Sequence, residues 1–407
     1  MTATVVAIFA TVYLGMILGG LPLLQLDRSG VALLGAIALV GFRILTPNQA
    51  ARAVHLPTLL LLFSFMVIAA QMRLGGFYTW VTQGVAALPL SPPALLGAVI
   101  GVVAALSAVF SNDVVCLAIA PVLIHTCLRR RLDPVPYLLA LACAANVGSA
   151  ATLIGNPQNM LIGQKLDLSF RAYFLEAIVP VALGLAVTWA LIARGARGRW
   201  QAEPAPETYE RLPAFARFDP WQTAKGLVVA LALVLVFLFT SWPRDVAALV
   251  GAGALLTSRR LRSAKMLGLV DWPLLILFVG LFVVNGALEQ TGLAQQAIRA
   301  LEGAGVPLAQ PAPLFAASFV LSNVVSNVPA TMLLLPLATE PFSGPLLAMV
   351  TTFAGNLLIV GSIANIIVVD AARRYGIEIG WRRHARVGIP VTAATLAITA
   401  AWLAFAA

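Results

Sequence analysis

The chain has 407 residues, 60% hydrophobic and 10% charged, with a net charge of +10 and a mean hydropathy of +0.94. A soluble domain carries about 25% charged residues, so lipid is the solvent suited to so apolar a surface. The positive charge does not mark a nucleic-acid partner, because Lys and Arg lie in short loops between apolar runs and form no stripe interleaved with aromatics.

In chain order, the first half is predicted to cross the membrane at 3–24, 30–46, 56–72, 136–163 and 173–193. A helical hairpin at 93–126 falls between the third and fourth crossings. The first run lacks a basic n-region and reads as a retained helix, not a cleaved signal. A polar stretch rich in Pro, Arg and Glu, 194–223, reads as a linker. The second half gives crossings at 224–241, 244–257, 272–288, 345–369 and 386–406, with a hairpin at 312–340. The units are therefore 1–193, 194–223 and 224–407. Cys116, Cys127 and Cys143 all fall in apolar segments, match no metal spacing and read as small buried hydrophobes.

The two halves repeat one another. "SAVFSNDVV" from Ser107 matches "SNVVSNVPA" from Ser322, and Gly76 aligns with Gly292. "LIGNPQNMLIG" (153–163) matches "IVGSIANIIVV" (359–369) at an offset of 206, and Pro180 matches Pro390. Five crossings is an odd number, so the second half is inserted upside down. The expected fold is an all-α polytopic membrane protein of two inverted repeats. Each repeat holds five transmembrane helices, one of them broken, and one re-entrant hairpin. With hairpins returning to the side they entered, 20 of the 26 Lys and Arg fall on one side. The positive-inside rule then places the linker in the cytoplasm and both termini in the periplasm of a plasma (inner) membrane. Two full crossings per hairpin would preserve the same bias.

Each hairpin carries Ser-Asn near its middle, where a continuous helix would favour Leu or Ala. Irregular backbone at membrane depth is tolerated only where protein or a water-filled cavity covers it. The tips are Ser111, Asn112 and Asp113 in one half, and Ser326, Asn327, Val328 and Pro329 in the other. Pro329 suits the first turn of the following helix. The second kind of break is Gly155-Asn156-Pro157, matched by Gly361-Ser362. Inverted repeats with broken helices place a transport site at the repeat interface near the midplane. Asp113 is the sharpest single residue: a carboxylate inside a membrane is costly and functional by default, with N-capping of the half-helix as the alternative role. His55 and His384 are placed in loops and His125 at the end of the first hairpin. Asp370 reads as a boundary charge.

"FSNDVVCLAIAPVLI", "NVGSAATLIGNPQN", "LSNVVSNVPATMLLLP" and "GSIANIIVVDAARRYGI" resemble the ion-transporter superfamily over nearly the whole chain. That superfamily joins arsenical-pump membrane proteins, NhaD-type sodium/proton antiporters and divalent anion/sodium symporters, including citrate-transporter-like permeases. The resemblance implies coupling-ion positions at Ser107, Ser111, Asn112 and Gly155, and at Ser322, Val325, Asn327 and Gly361. It implies substrate contacts at Ser111, Asn112, Asp113, Asn156, Ser326, Asn327, Val328 and Ser362. The symporters' tip threonine is replaced by Asp113 and Val328. Asn-Asp at this point is similar to the arsenical-pump branch, and a carboxylate there would repel a dicarboxylate.

The expected function is secondary active transport of a small anion or inorganic solute, arsenite-like, coupled to H+ or Na+, with Asp113 serving the coupling ion as well. Sodium/proton antiport and di- or tricarboxylate transport are the alternatives, and a channel is the reading outside this class. An enzyme is not expected: there is no HExxH, no Gly-x-Ser-x-Gly and no pair of membrane aspartates. No cofactor is expected and no metal beyond a transported or coupling sodium. The lipid bilayer and a small ion are the expected partners, nucleic acid is not, and a homodimer is compatible with the chain.

Overall fold

The computed structural model describes residues 2–21, 24–201 and 217–406. Residues 202–216 of the expected linker lie outside the described residues. The first half contains ten helices. They are α1 (Thr2–Leu18), α2 (Arg28–Gly41), α3 (Pro47–Ala53), α4 (Leu56–Leu74), α5 (Phe77–Ala87), α6 (Pro92–Phe110), α7 (Asn112–Arg129), α8 (Pro134–Ser149), α9 (Pro157–Lys165) and α10 (Phe170–Gly195). The second half contains ten more in the same succession. They are α11 (Pro220–Phe239), α12 (Arg244–Leu256), α13 (Ser263–Leu267), α14 (Trp272–Gln290), α15 (Leu293–Gly303), α16 (Pro311–Val325), α17 (Asn327–Leu334), α18 (Ser343–Ala354), α19 (Ile363–Arg374) and α20 (Trp381–Ala406).

Local chemistry sets the helix starts. Asp27, Asp133, Asp219 and Asp271 each N-cap a helix, and proline follows in the first turn of α8, α11 and α14. A carboxylate accepting free N–H groups stabilises a helix by about 1 kcal/mol. Half of the chain's eight aspartates thus serve helix entry.

Among the described residues, seven helices are long and apolar enough to cross a membrane by length and composition: α4, α6, α7, α10, α11, α14 and α20. The expected crossing at 30–46 is shorter, ending at Gly41. That at 3–24 stops at Leu18 and passes into a small ribbon pairing Gly20–Leu21 with Leu26–Asp27. The expected breaks are present but longer than a Gly-Asn-Pro step: residues 150–156 are non-helical between α8 and α9. In the second half the break runs from 355 to 362 and includes a 3-10 turn, Ile359–Gly361. Both arms of the first hairpin, 19 and 18 residues, are long enough to span. Its tip meets the α8–α9 break, where the Asn112 N–H donates to the Gly155 carbonyl.

Four short helices, α3, α5, α13 and α15, stand between the expected crossings. The helices α5 and α15 both start after a glycine at φ 71°, Gly76 and Gly292, the left-handed conformation glycine adopts without a Cβ clash.

The halves interlock reciprocally. Helix α2 packs on α14 and α4 on α12, while α7 packs on α19 and α17 on α9. The two 26-residue helices α10 and α20, each with an internal proline (Pro180, Pro390), pack on each other. Helices α6 and α8 approach closely at Gly148, where a Cβ would stand 2.4 Å from the Ala104 Cα. Gly148→Ala is therefore expected to destabilise the fold by about 1–3 kcal/mol. Gly101→Ala on α6, with no atom within 4 Å of the added methyl, should leave stability unchanged. Thermal unfolding in detergent distinguishes the two.

Candidate functional site

Each hairpin turns on one serine. Ser111 joins α6 to α7 at φ 67°, ψ 130°, and Ser326 joins α16 to α17 at φ 77°, ψ 160°. An L-residue held there costs about 1–3 kcal/mol. Each tip touches the break of its own half. The Asn112 backbone N–H donates to the Gly155 carbonyl at 3.0 Å. The Asn327 carboxamide donates to the carbonyls of Thr351 at 3.0 Å and Gly361 at 3.2 Å. Gly155 and Gly361 are counterparts in the duplication.

A buried amide cluster joins the two breaks. The Asn146 Oδ1 on α8 accepts from Asn112 Nδ2 at 3.0 Å and from Ser362 Oγ at 2.9 Å. Its Nδ2 donates to Asn356 Oδ1 at 2.8 Å and Asn365 Oδ1 at 3.2 Å. One side chain therefore connects the first tip to the second half's break. Its counterpart at an offset of 206, Thr352, accepts from Asn156 Nδ2 and Gln158 Nε2 at 3.2 Å each and donates to Asn159 Oδ1 at 3.4 Å. The pattern is reciprocal. Asn146 holds Ser362 and Asn365, whereas Thr352 holds Asn156 and Asn159, the residues 206 positions earlier.

The unwound segments are held by the same groups. Asn156 caps α9 by accepting from Asn159 N–H at 2.9 Å, and Ser362 caps α19 by accepting from Ala364 N–H at 3.3 Å. Asn159 donates to the Thr152 carbonyl at 3.1 Å and Asn365 to the Leu358 carbonyl at 3.0 Å, again counterparts. The Tyr173 hydroxyl donates to the Ala150 carbonyl at 2.7 Å, and His384 Nε2 lies 3.0 Å from the Asn356 carbonyl. His384 is not in a loop as expected: α20 begins five residues before the apolar run, at Trp381, and buries the ring.

The hydroxyls of Ser107 and Ser322, counterparts on the first arms, are buried with no hydrogen-bond partner among the described residues. So is Asn112 Oδ1. Ser318, one turn before Ser322, instead donates back to the Leu314 carbonyl at 2.7 Å. An unpartnered buried polar atom costs about 1–3 kcal/mol. Val325 and Val328 are buried and bring apolar side chains to the second tip. Asp370 pairs with Arg374 at 2.7 Å, both exposed, as a boundary charge would.

Asp113 does not cap its helix. Ser111 occupies the cap position without a side-chain bond, and the Asp113 carboxylate makes no hydrogen bond or ion pair among the described residues. It lines a cavity of about 40 Å³ with Ser111, Pro157, Met160 and Asp271, room for a water or a small ion. Asp271, whose Oδ1 accepts from the Leu274 N–H at 3.0 Å, brings a second carboxylate there. The pair is not evident along the chain, because Asp271 belongs to a helix start in the other half. Asp113 is the only Asp, Glu, Lys or Arg within 92–124, 134–164, 311–339 and 343–369, the stretches around the tips and breaks; the charges Arg129, Lys165, Glu340, Asp370, Arg373 and Arg374 lie at the far ends of these elements.

A family model described as citrate transporter matches residues 13–354. The chain belongs to the citrate transporter family. It is similar to an uncharacterized transporter of Mycobacterium tuberculosis, 29% identical over 93% of this chain and 94% of that one. The silicon efflux transporter LSI3 of Oryza sativa subsp. japonica is 26% identical, covering 96% and 95% of the two chains. The putative transporter arsB of Dictyostelium discoideum is 24% identical, covering 91% and 86%. Among solved structures, the YdaH transporter of Alcanivorax borkumensis has the same fold, with a TM-score of 0.58 at 14% identity over 100% of this chain and 98% of that one. The protein is thus a multi-pass membrane transporter of the citrate transporter family.

In this family member, Asn146→Ala removes four hydrogen bonds at once. It is expected to lower transport in proteoliposomes at least tenfold and to lower stability by about 1–3 kcal/mol, since four buried polar partners lose their mate. Thr352→Val, which leaves fewer groups orphaned, should cost less on both measures.

Proposed function

We propose that the chain is a secondary active transporter for a small inorganic solute of the arsenite type, working by alternating access and driven by a proton or sodium gradient. The observation that carries this reading is the charge around the tips and breaks: within 92–124, 134–164, 311–339 and 343–369 the one charged residue is the carboxylate Asp113, with Asp271 lining the same cavity and no Lys or Arg. A di- or tricarboxylate would enter with its charge uncompensated and beside a like charge, which costs several kcal/mol in a low-dielectric site. An uncharged hydroxylated solute, such as arsenite at neutral pH, meets instead hydroxyls and carboxamides that can exchange hydrogen bonds with it. The names of the rice and Dictyostelium relatives, a silicon efflux transporter and a putative arsB transporter, support an inorganic solute.

Solute contacts are assigned to Ser111, Asn112, Asp113, Asn156, Ser326, Asn327, Val328 and Ser362, which surround the two tips and breaks. The coupling ion is assigned to Ser107, Ser111, Asn112 and Gly155, and to Ser322, Val325, Asn327 and Gly361, with Asp113 nearby. The unpartnered oxygens of Ser107, Ser322 and Asn112 support this, because hard cations take oxygen ligands. The Gly155 and Gly361 carbonyls already accept from the tips, so an ion there would share them. Sodium/proton antiport is the second reading, favoured by the isolated Asp113.

A flux panel in proteoliposomes under imposed sodium and proton gradients tests the proposal. Saturable arsenite flux that depends on one gradient is expected, and citrate flux with no arsenite flux would overturn it. Asp113→Asn removes the titratable charge at nearly constant size. Net transport should fall about tenfold or more and lose its pH dependence, with thermal stability unchanged; a pH profile that overlays the parent would end the coupling role. For orientation, single cysteines at Asn48 and Lys165 should react with an impermeant maleimide from the periplasm. A cysteine in the 194–223 linker should react only after the membrane is opened.

A further inference from the structure

A second cavity, about 550 Å³, lies away from the tips where the ends of α8, α10 and α20 meet. Its walls include Leu139, Ile192 and Val387, and Arg199, Arg382, Arg383 and Arg386 also line it. Among the described residues a single carboxylate, Asp133, faces these four cations, and it is already engaged. It accepts from the Val135 N–H at 2.9 Å as the cap of α8 and pairs with Arg383 at 3.1 Å. Arg199 donates to the Gly195 carbonyl, and Arg382 lies 5.2 Å from the Trp381 ring. Arg386 is exposed and forms no ion pair among the described residues. Among the described residues, the three arginines other than Arg383 therefore line the cavity without an acidic partner there.

The two parts of this cavity ask for one kind of occupant. A water-soluble anion would gain nothing from walls of leucine, isoleucine and valine. A bare hydrocarbon would gain nothing from guanidinium groups. An amphiphile with an anionic head satisfies both, since arginine forks match phosphate oxygens and apolar walls match acyl chain. The setting agrees: Trp381 is 70% exposed at the start of α20, where an aromatic ring suits the membrane–water boundary.

We propose that this cavity binds an anionic phospholipid, its phosphate on Arg382 and Arg386 and an acyl chain along Leu139, Ile192 and Val387. Because α8 and α10 belong to the first half and α20 to the second, one lipid there bridges the halves. The site is independent of the solute and of the coupling ion.

The test is native mass spectrometry of the full purified chain, with phosphatidylglycerol or phosphatidylethanolamine added in detergent. Phosphatidylglycerol should be retained about tenfold better than phosphatidylethanolamine. Arg382→Gln combined with Arg386→Gln should erase the preference, and Arg386→Lys should retain most of it. Val387→Trp, which fills the wall and leaves the arginines, should lower retention of phosphatidylglycerol even if the double variant does not fold. Equal retention of the two lipids, or an undiminished preference in the double variant, would overturn the site. Displacement of the lipid by millimolar glycerol phosphate would overturn it also, by revealing a site for soluble anions.

Discussion

The structure depends on one constraint: backbone that leaves its helix inside an apolar bundle must find protein partners for every N–H and carbonyl. Two crossings are unwound here, over residues 150–156 and 355–362. The carbonyls of Ala150, Thr152 and Gly155 are met by Tyr173, Asn159 and Asn112, and those of Gly355, Asn356, Leu358 and Gly361 by Asn365, His384 and Asn327. Asn112 does this with its backbone N–H, while Asn159, Asn365 and Asn327 use their side chains, each short and able both to donate and to accept. The hairpins bring two of these asparagines, and so tip position and break geometry fix one another.

The duplication supplies the same solution twice, and the departures from symmetry are where specificity can reside. Asn146 and Thr352 hold equivalent partners across the interface, but the amide makes four bonds where the hydroxyl makes three. At the tips the contrast is sharper: one half has the carboxylate of Asp113 where the other has Val328. The first half is thus the more polar at its tip and the more tightly tied to its neighbour. Transport by exchange of two related arrangements requires elements with two discrete packings. Helices α7, α9, α17 and α19, which cross between halves, are the elements such an exchange would re-pair.

Much of this was legible in the chain. Apolar runs marked five of the expected crossings, those on α4, α10, α11, α14 and α20, and Ser-Asn and Gly-Asn-Pro marked the tips and breaks, because those residues cannot sit in a spanning helix without a reason. The amide cluster was not legible, although Asn146 and Thr352 lie in largely apolar helices: its contacts between the halves join residues 193 to 219 apart and leave no local pattern. The 206-residue offset, applied to every polar residue near the breaks, pairs Asn146 with Thr352 and Asn159 with Asn365. Helices α5 and α15 were missed because their mixed polar and apolar residues resemble loops on a hydropathy scale, even with Gly76 and Gly292 aligned. Asp271 was hidden because its cap role places it at a helix start in the opposite half.

The serines at the hairpin tips have a consequence beyond geometry. Glycine would adopt the backbone angles of Ser111 and Ser326 without strain, releasing about 1–3 kcal/mol at each. A β-branched residue would be still worse than serine. The easiest route to a more thermostable version of this membrane protein therefore runs through the two points where its hydroxyls turn the chain. The fold forgoes that stability twice and keeps an oxygen at each turn.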